Sequence, residues 1–282
     1  MEKEKLCYQT YVAILKRELV VAMGCTEPIA LAYCAAKARA VLGQIPDKVI
    51  VETSGNIIKN VKSVIVPNTN GEKGIESAVA IGIIAGDEKL ELEVLSNVTE
   101  QQKKEFLEYK KTTKIQVKQA ESDLLLDIIV KVYKGDSCAI VRIANAHSNV
   151  VYIEKDGDVL LDNGVVQQMQ EDVPDYSLLS VQGIYDFAQT ANIEDVKEVL
   201  DRQIEYNSAI AEEGLKNNYG ANIGSVLLET YGDDIRNRAK AKAAAGSDAR
   251  MSGCELPVVI NSGSGNQGMT VSLPVIEYAK EL

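Results

Sequence analysis

The stretch Gly24-Cys25-Thr26-Glu27-Pro28 separates two segments whose apolar residues recur at helical spacing, residues 5–23 and 29–42. Threonine is a common helix cap, and glutamate and proline are favoured in a first helical turn. The stretch therefore predicts that a helix starts here, with Thr26 as its cap. Cys25 is then expected beside unpaired backbone N–H groups at the positive end of the helix, a setting that favours the thiolate over the thiol.

A thiolate in that position can take up a proton, attack an electrophile or bind a soft metal. The alternative is a small buried cysteine that only fills space, because free cysteines are commonly buried and inert. The stretch alone leaves both interpretations of Cys25 open.

The segment that follows Cys25 is small and apolar on nearly every side. Residues 29–36 read Ile-Ala-Leu-Ala-Tyr-Cys-Ala-Ala, and residues 74–85 form a second segment of this kind, with glycines at Gly82 and Gly86. Helices of this composition are packed closely by neighbours on several sides. We therefore expect Cys25 at the mouth of a central helix.

From about residue 89 onward, strand patterns replace most of the helical ones. Alternating patterns, followed by the hairpin signal Asp156-Gly157-Asp158, occur at residues 114–118, 125–133, 139–143 and 150–154. Shorter extended segments are expected at residues 48–51 and 61–66. The sequence predicts an α+β protein. Residues 1–88 and 164–282 would form a mostly helical catalytic domain, and residues 89–163 an inserted α/β module of roughly four to five strands.

Composition narrows the functional classes. The chain has 282 residues, 46% of them hydrophobic, and a formal charge of −11. It is long enough for a large core, and it lacks the basic clusters that nucleic acids and anionic membranes require. No apolar run reaches the roughly 18 residues of a membrane span, and no leader-type segment follows the charged first residues. We expect a cytoplasmic protein.

The titratable residues limit the chemistry further. Five cysteines, an odd number without a C-x-x-C pair, favour reduced thiols over a disulfide framework or a self-contained zinc site. The single histidine, His147, ends a strand pattern and could be a polar group facing the site or a turn histidine. Reactions must depend mainly on cysteine, carboxylate, lysine, tyrosine, hydroxyl or backbone groups.

Two polar, glycine-containing loops are candidate ligand sites. The first is a turn around Gly55, and its candidate ligand-binding residues are Ser54, Gly55, Asn56, Lys59 and Asn60. The second has three glycines in eight residues, which lets backbone N–H groups approach a carboxylate or phosphate closely. Its candidate residues are Ser262, Gly263, Ser264, Gly265, Asn266 and Gln267. It lacks the ending of a P-loop, and an ordinary turn is the alternative.

Taken together, three segments resemble the L-cysteine desulfidase family, which is related to the alpha chains of iron–sulfur L-serine dehydratases. They are residues 24–30, residues 54–60 and residues 261–268. The resemblance covers the whole chain in order, and it extends to the alanine-rich residues 238–250 and to Ala146-His147-Ser148-Asn149.

The resemblance implies a β-elimination that converts L-cysteine to sulfide, ammonia and pyruvate with a [4Fe–4S] cluster and without pyridoxal phosphate. By that analogy Cys25 is the base that removes the α-proton. Thr26, Glu27 and the two loops would hold the amino-acid carboxylate and amine, and His147 would be a further candidate site residue. L-Serine is the alternative substrate. The partner expected is a small amino acid and neither nucleic acid nor membrane, and the small-residue helices leave room for a homodimer.

The chain also departs from that family. In relatives the sequence continues beyond the equivalent of Leu282, and the three cysteines that hold the cluster lie in that further part. No metal ligands are therefore expected within this chain, which is expected to be inactive and C-terminally incomplete. A non-catalytic protein that binds small amino acids through the retained loops is the competing hypothesis.

Overall fold

The computed structural model describes residues 2–165 and 173–282. The α-helices are α1 Glu2–Glu18, α2 Thr26–Leu42, α3 Gly55–Val61, α4 Gly74–Ala85, α5 Glu100–Thr112, α6 Val181–Thr190, α7 Ile193–Lys216, α8 Ile223–Tyr231, α9 Ile235–Met251 and α10 Gly265–Glu281. The strands are β1 Val21–Met23, β2 Lys48–Thr53, β3 Lys114–Gln119, β4 Asp127–Lys134, β5 Ser137–Ala144, β6 Val150–Lys155, β7 Asp158–Asp162 and β8 Pro257–Val259. The α+β class predicted from the sequence is confirmed.

The chain divides into two compact units. The first takes its described residues from Met1–Val21, Gln167–Asp248 and Pro257–Leu282, and the second from Ala22–Val166 and Ala249–Leu256. Among the described residues, no helix has the length and apolar character needed to cross a membrane.

The first unit is helical, and small residues allow its helices to approach closely. A Cβ on Gly214 of α7 would overlap the carbonyl of Ala245 in α9, so glycine is required at that contact. Leu19, Val199 and Val259 form a buried cluster between α1, α7 and β8. Such tight helix contacts agree with the composition of these segments.

Hydrogen bonds from one buried asparagine tie this unit together. Asn207, with no exposed surface, accepts from the backbone N–H of Val259 over 2.9 Å. Its side-chain nitrogen donates to the Val259 carbonyl over 3.2 Å and to the Ser272 hydroxyl over 3.0 Å. Because these bonds satisfy the buried amide, Asn207 links α7, β8 and α10 without an unpaired polar group.

The second unit is built on a six-stranded sheet in the order β3-β2-β4-β5-β6-β7. β2 and β3 are parallel, and the other neighbours are antiparallel. Alternate residues of β4, namely Ile128, Val130 and Val132, are fully buried, as expected for a sheet with one covered face. α2 contacts β4 and β5, so the strands expected between residues 114 and 154 form the layer behind the Cys25 helix.

α2 and α4 lie against each other in this unit, as their composition indicated. A Cβ on Gly82 would overlap the carbonyl of Ala32, so the two helices meet almost backbone to backbone. The prediction of an extended segment at 61–66 is wrong, because α3 continues to Val61 and the following residues form only the isolated bridge between Ile65 and Lys73 among the described residues. A helix also replaces most of the polar turn expected around Gly55.

Candidate active site

The Cys25 turn is fixed by a glycine that no other residue could replace without strain. Gly24 has φ +58°, in the left-handed region, and a Cβ there would overlap the ring of Pro67. Cys25 follows in an extended conformation and is the N-cap of α2, without a side-chain cap bond. The helix therefore begins at Thr26, and the prediction that Thr26 is the cap is corrected by one residue.

The thiol of Cys25 points to a carboxylate two residues ahead. Its Sγ donates to Glu27 Oε2 over 3.0 Å, and only 6% of Cys25 is exposed. Burial, the negative charge of Glu27 and this hydrogen bond raise the pKa of the Cys25 thiol to about 12. The expectation that the helix start favours a thiolate is therefore wrong for this state. Burial and the adjacent carboxylate outweigh the helix dipole, and Cys25 is a thiol at neutral pH.

Glu27 is the ionised member of this pair. Burial opposes ionisation, but hydrogen bonds from Cys25 and from the Glu27 backbone, the electrostatic interaction with His147 and the amide of Asn60 together lower its pKa. Asn60 Nδ2 donates to Glu27 Oε1 over 3.4 Å, and Thr26 Oγ1 donates to Oε2 over 3.3 Å. Glu27 is thus a carboxylate that receives hydrogen bonds from both sides.

A buried arginine completes the charged groups. Arg250, in the last turn of α9, is 3% exposed, and its Nε donates to the Gly24 carbonyl over 2.8 Å. Burial lowers the pKa of Arg250, while its electrostatic interactions with Cys25 and Glu27 oppose that change. Guanidinium groups remain protonated in proteins, so Arg250 places a positive charge next to the Cys25 turn.

Arg250 was not among the site residues predicted from the sequence. The signal in the sequence was an arginine in the last turn of an alanine-rich helix that is followed by Gly253. A charged residue near a helix end, among small buried residues, often has a specific partner. The partner itself, a carbonyl more than 200 positions earlier, has no sequence signature.

His147 lies in the loop between β5 and β6. Burial lowers the pKa of His147, the charge of Glu27 raises it, and the charge of Arg250 lowers it, with a net lowering. The imidazole is therefore neutral at pH 7 and retains a nitrogen lone pair. Its electrostatic interactions with Glu27 and Arg250 show that these three groups share one region of the second unit.

The loop around Gly55 contributes one residue to this cluster. Asn60, near the end of α3, reaches Glu27, whereas the Ser54 hydroxyl donates to the Leu125 carbonyl over 2.9 Å and anchors the helix start to the sheet. Gly55, Asn56 and Lys59 are exposed on α3. Nothing in the geometry of these three residues assigns them a ligand.

The loop of residues 261–268 belongs to the first unit, and it is a tight turn followed by a helix cap. Asn261 and Ser264 exchange two backbone hydrogen bonds of 3.1 and 3.0 Å. Ser262 and Gly263 between them have φ +47° and +76°, as in a type I′ turn. Ser264 is the N-cap of α10, and its hydroxyl accepts from the Gln267 N–H over 3.3 Å.

The remaining candidates of this loop lie on the first turn of α10. Gly265 is buried, and Asn266 and Gln267 are partly or fully exposed. Glycine at 268 is required by packing, because a Cβ there would overlap the Val259 carbonyl.

A metal or iron–sulfur group needs several converging thiolate, imidazole or carboxylate ligands. Across residues 2–165 and 173–282, no three His, Cys, Asp or Glu side chains converge as metal ligands. Cys34 is fully buried with its Sγ 3.4 Å from the Val141 carbonyl, and Cys254 is also buried. The described residues therefore do not fit an iron–sulfur cluster.

Comparison with known proteins gives one consistent result. The family model described as serine dehydratase alpha chain matches residues 88–282. A UPF0597 protein of Desulfitobacterium hafniense (strain Y51) is 59% identical over 282 residues, which is 100% of this chain and 66% of that protein. A UPF0597 protein of Lachnoclostridium phytofermentans is 54% identical over 98% of this chain and 66% of its own length.

A more distant UPF0597 protein, from Treponema denticola, is 43% identical over 100% of this chain and 67% of its own length. The chain thus spans about two thirds of the length of these relatives. No solved structure matches it.

Proposed function

Because the chain belongs to the serine dehydratase alpha chain family, we propose that it carries the catalytic groups of a lyase that performs β-elimination on a small amino acid, L-serine or L-cysteine. The observation that carries the proposal is the grouping of Cys25, Glu27, His147 and Arg250 in one unit. A zwitterionic substrate needs opposite charges around it, and an elimination needs groups that exchange protons. This cluster supplies both.

The reaction removes the α-proton and the β-substituent of the amino acid. For L-serine, loss of water gives an enamine that takes up water and releases pyruvate and ammonia. For L-cysteine, hydrogen sulfide leaves in place of water. The balance requires one acceptor for the α-proton and one donor for the leaving group, and no oxidant or reductant.

Cys25 and Glu27 can act together as the proton acceptor. The thiol already donates its hydrogen to the Glu27 carboxylate, so transfer of that proton leaves a thiolate that can accept the α-proton. The transfer is uphill in the structure described, because the pKa of Cys25 is about 12 and that of Glu27 is lowered. A substrate ammonium group next to Cys25 would stabilise the thiolate.

His147 is the second proton carrier of the proposal. Its neutral imidazole has a lone pair and interacts electrostatically with the same carboxylate, so it can accept the α-proton and, as the imidazolium so formed, pass a proton to the leaving group. Variants that lack Cys25 or His147 distinguish these two roles, because each should lose a different titration from the pH profile of activity.

The proposed lyase would also use a [4Fe–4S] cluster, which the sequence resemblance implies. We propose that its ligands are not among the described residues, where no three His, Cys, Asp or Glu side chains converge. An iron and sulfide assay of the gene's full product, purified anaerobically, tests that part separately from the roles of the four side chains.

The experiment is an anaerobic assay of pyruvate released from L-serine and from L-cysteine by the gene's full product. Cys25→Ser should lower kcat by roughly 10²–10⁴, as for loss of a general base. Cys138→Ser, a half-buried cysteine outside the cluster, is the matched control. Pyruvate release that is unchanged in Cys25→Ser reassigns Cys25 to packing. Amino-acid binding without any pyruvate favours the non-catalytic binding protein and overturns the lyase.

A further inference from the structure

The carbonyl that opens the Cys25 turn is held by a cation. Arg250 Nε donates to Gly24 O over 2.8 Å, and 97% of the arginine surface is removed from solvent, since 3% is exposed. Burying a guanidinium group costs free energy unless its surroundings compensate. Arg250 therefore holds the backbone carbonyl that immediately precedes the buried Cys25.

The position of Arg250 is itself fixed by a glycine. Gly253 has φ +86°, and a Cβ there would lie 2.5 Å from Ile65 Cγ2. The N–H of Gly253 donates to the Arg250 carbonyl over 3.3 Å, and the N–H of Cys254 donates to the Ala249 carbonyl over 3.0 Å. These bonds close the end of α9 immediately after the arginine.

One short segment supports both turns. Residues 65–67 place Ile65 against Gly253 and Pro67 against Gly24. The turn that carries Cys25 and the turn that follows Arg250 are therefore packed against residues only two positions apart, and at each contact no side chain larger than glycine fits. A displacement of this support moves both turns.

We propose that Arg250 is a positioning residue of the Cys25 site, which holds the Gly24 carbonyl and supplies the positive charge that stabilises the Cys25 thiolate. Residues 65–67 are the common support of the two turns. The catalytic meaning of this role rests on the proposed function, but the role itself can be measured on the thiol without turnover.

The charges around Cys25 give the direction of the effect. Burial raises the pKa of the thiol most, Glu27 raises it further through its charge and its hydrogen bond, and Arg250 lowers it. His147 interacts with both Glu27 and Arg250. Removal of the Arg250 charge removes an interaction that favours the Cys25 thiolate, so the thiolate becomes harder to form.

The test is the rate of Cys25 alkylation by iodoacetamide between pH 7 and 10, followed by peptide mass spectrometry. Cys7, which is half-buried in the first unit, is the reference thiol in the same sample. Arg250→Gln should slow alkylation of Cys25 about tenfold at each pH, the equivalent of one pKa unit, with the Cys7 rate unchanged. Arg250→Lys, which keeps the charge, should fall between Arg250→Gln and the wild type. Arg238→Gln, in an ion-paired group of the first unit, is the matched control.

The outcomes divide cleanly. Slower alkylation of Cys25 in Arg250→Gln, with Arg238→Gln unchanged, supports the role. An unchanged Cys25 rate overturns it, and so does a faster rate, because a purely structural arginine would expose the thiol when removed. If Arg250→Gln does not fold, Cys25 alkylation is measured in Arg250→Lys and Gly253→Ala. A slower rate than in the wild type supports the role, and an equal or faster rate overturns it. Failure of the lyase assay leaves these rates unaffected, so the two proposals fail separately.

Discussion

Cys25 Sγ lies 3.0 Å from Glu27 Oε2 and donates its hydrogen to that carboxylate. The two residues are separated by one position at the start of α2, so the short spacing brings the thiol and the carboxylate together without help from a distant element. The contact makes Glu27 the ionised partner and Cys25 the neutral one. A reaction that begins at this pair begins with a proton on sulfur.

The carboxylate of Glu27 should therefore suppress the reactivity of Cys25. In Glu27→Gln the negative charge that raises the thiol pKa is gone, and alkylation of Cys25 at pH 8 should accelerate about tenfold. Glu108→Gln, which removes an exposed carboxylate paired with Lys111, is the control and should leave the rate unchanged. A Cys25 rate in Glu27→Gln that equals or falls below the wild-type rate would contradict this account.

His147 should make the protein less stable on acidification. Because its pKa is lowered in the folded chain, the unfolded chain binds more protons once the pH falls below about 6.5, and the free energy of unfolding decreases there. Glu27, also lowered, adds a second loss as the pH falls below its ordinary value of 4.5. Both contributions are fully present above these ordinary values.

The single histidine makes the assignment simple. The free energy of unfolding in urea is measured for the wild type and for His147→Gln at pH 8, 6.5, 5.5 and 5. The difference between the two proteins at each pH removes the general effect of net charge, which they share. This difference, wild type minus variant, should fall between pH 7 and 5. A constant difference would show that His147 titrates alike in the folded and unfolded chains.

Local sequence signals predicted much of the fold. The helical segments at 29–42 and 74–85 and the strand segments that became β2 to β6 show clear periodicity, and the structure places them at or within a few residues of the expected bounds. The prediction of an extended segment at 61–66 failed because β-branched residues also suit an irregular segment packed against glycines. Strand propensity cannot distinguish a strand from such a segment. α8 was missed because it is only nine residues long, too short for a reliable periodic signal.

The site was less predictable for a physical reason. Cys25, Thr26 and Glu27 are neighbours in sequence, so their chemistry could be anticipated, but the protonation of Cys25 depends on burial, which local sequence does not reveal. The bond from Arg250 to Gly24 depends on how the end of α9 meets the start of α2. No pattern within either segment encodes that contact.

Gly24 should be intolerant of a side chain. Gly24→Ala places a Cβ in a left-handed conformation and into the Pro67 ring, so the cost should be about 3 kcal/mol, from roughly 1 kcal/mol of backbone strain plus overpacking. Gly43→Ala is the matched control, since Gly43 has φ +83° but open space around it, and it should cost about 1 kcal/mol. Urea unfolding measures both. Equal losses would show that Pro67 yields to the added methyl group.

An ion pair between Arg142, whose side chain is 25% exposed, and the fully buried Asp127 lies beside the start of α3. Asp127 has no exposed surface, and Arg142 Nε and Nη2 donate to its two carboxylate oxygens over 2.8 and 2.7 Å. Asp127 also holds the start of α3, because its carbonyl accepts from the Ser54 N–H and from the Thr53 hydroxyl. Removal of the cation leaves an unpaired charge in the sheet next to the helix that carries Asn60.

Arg142→Met should therefore lower the free energy of unfolding by about 3–5 kcal/mol, the cost of leaving a buried charge without its partner. Lys111→Met, which breaks the exposed pair with Glu108, should cost less than about 1 kcal/mol because water screens that pair. Asp127→Asn in the Arg142→Met background should recover part of the loss, since the neutral amide no longer carries an unpaired charge. Urea unfolding of the three variants measures these differences, and a loss below 1 kcal/mol in Arg142→Met would mean that water reaches Asp127 in the folded protein.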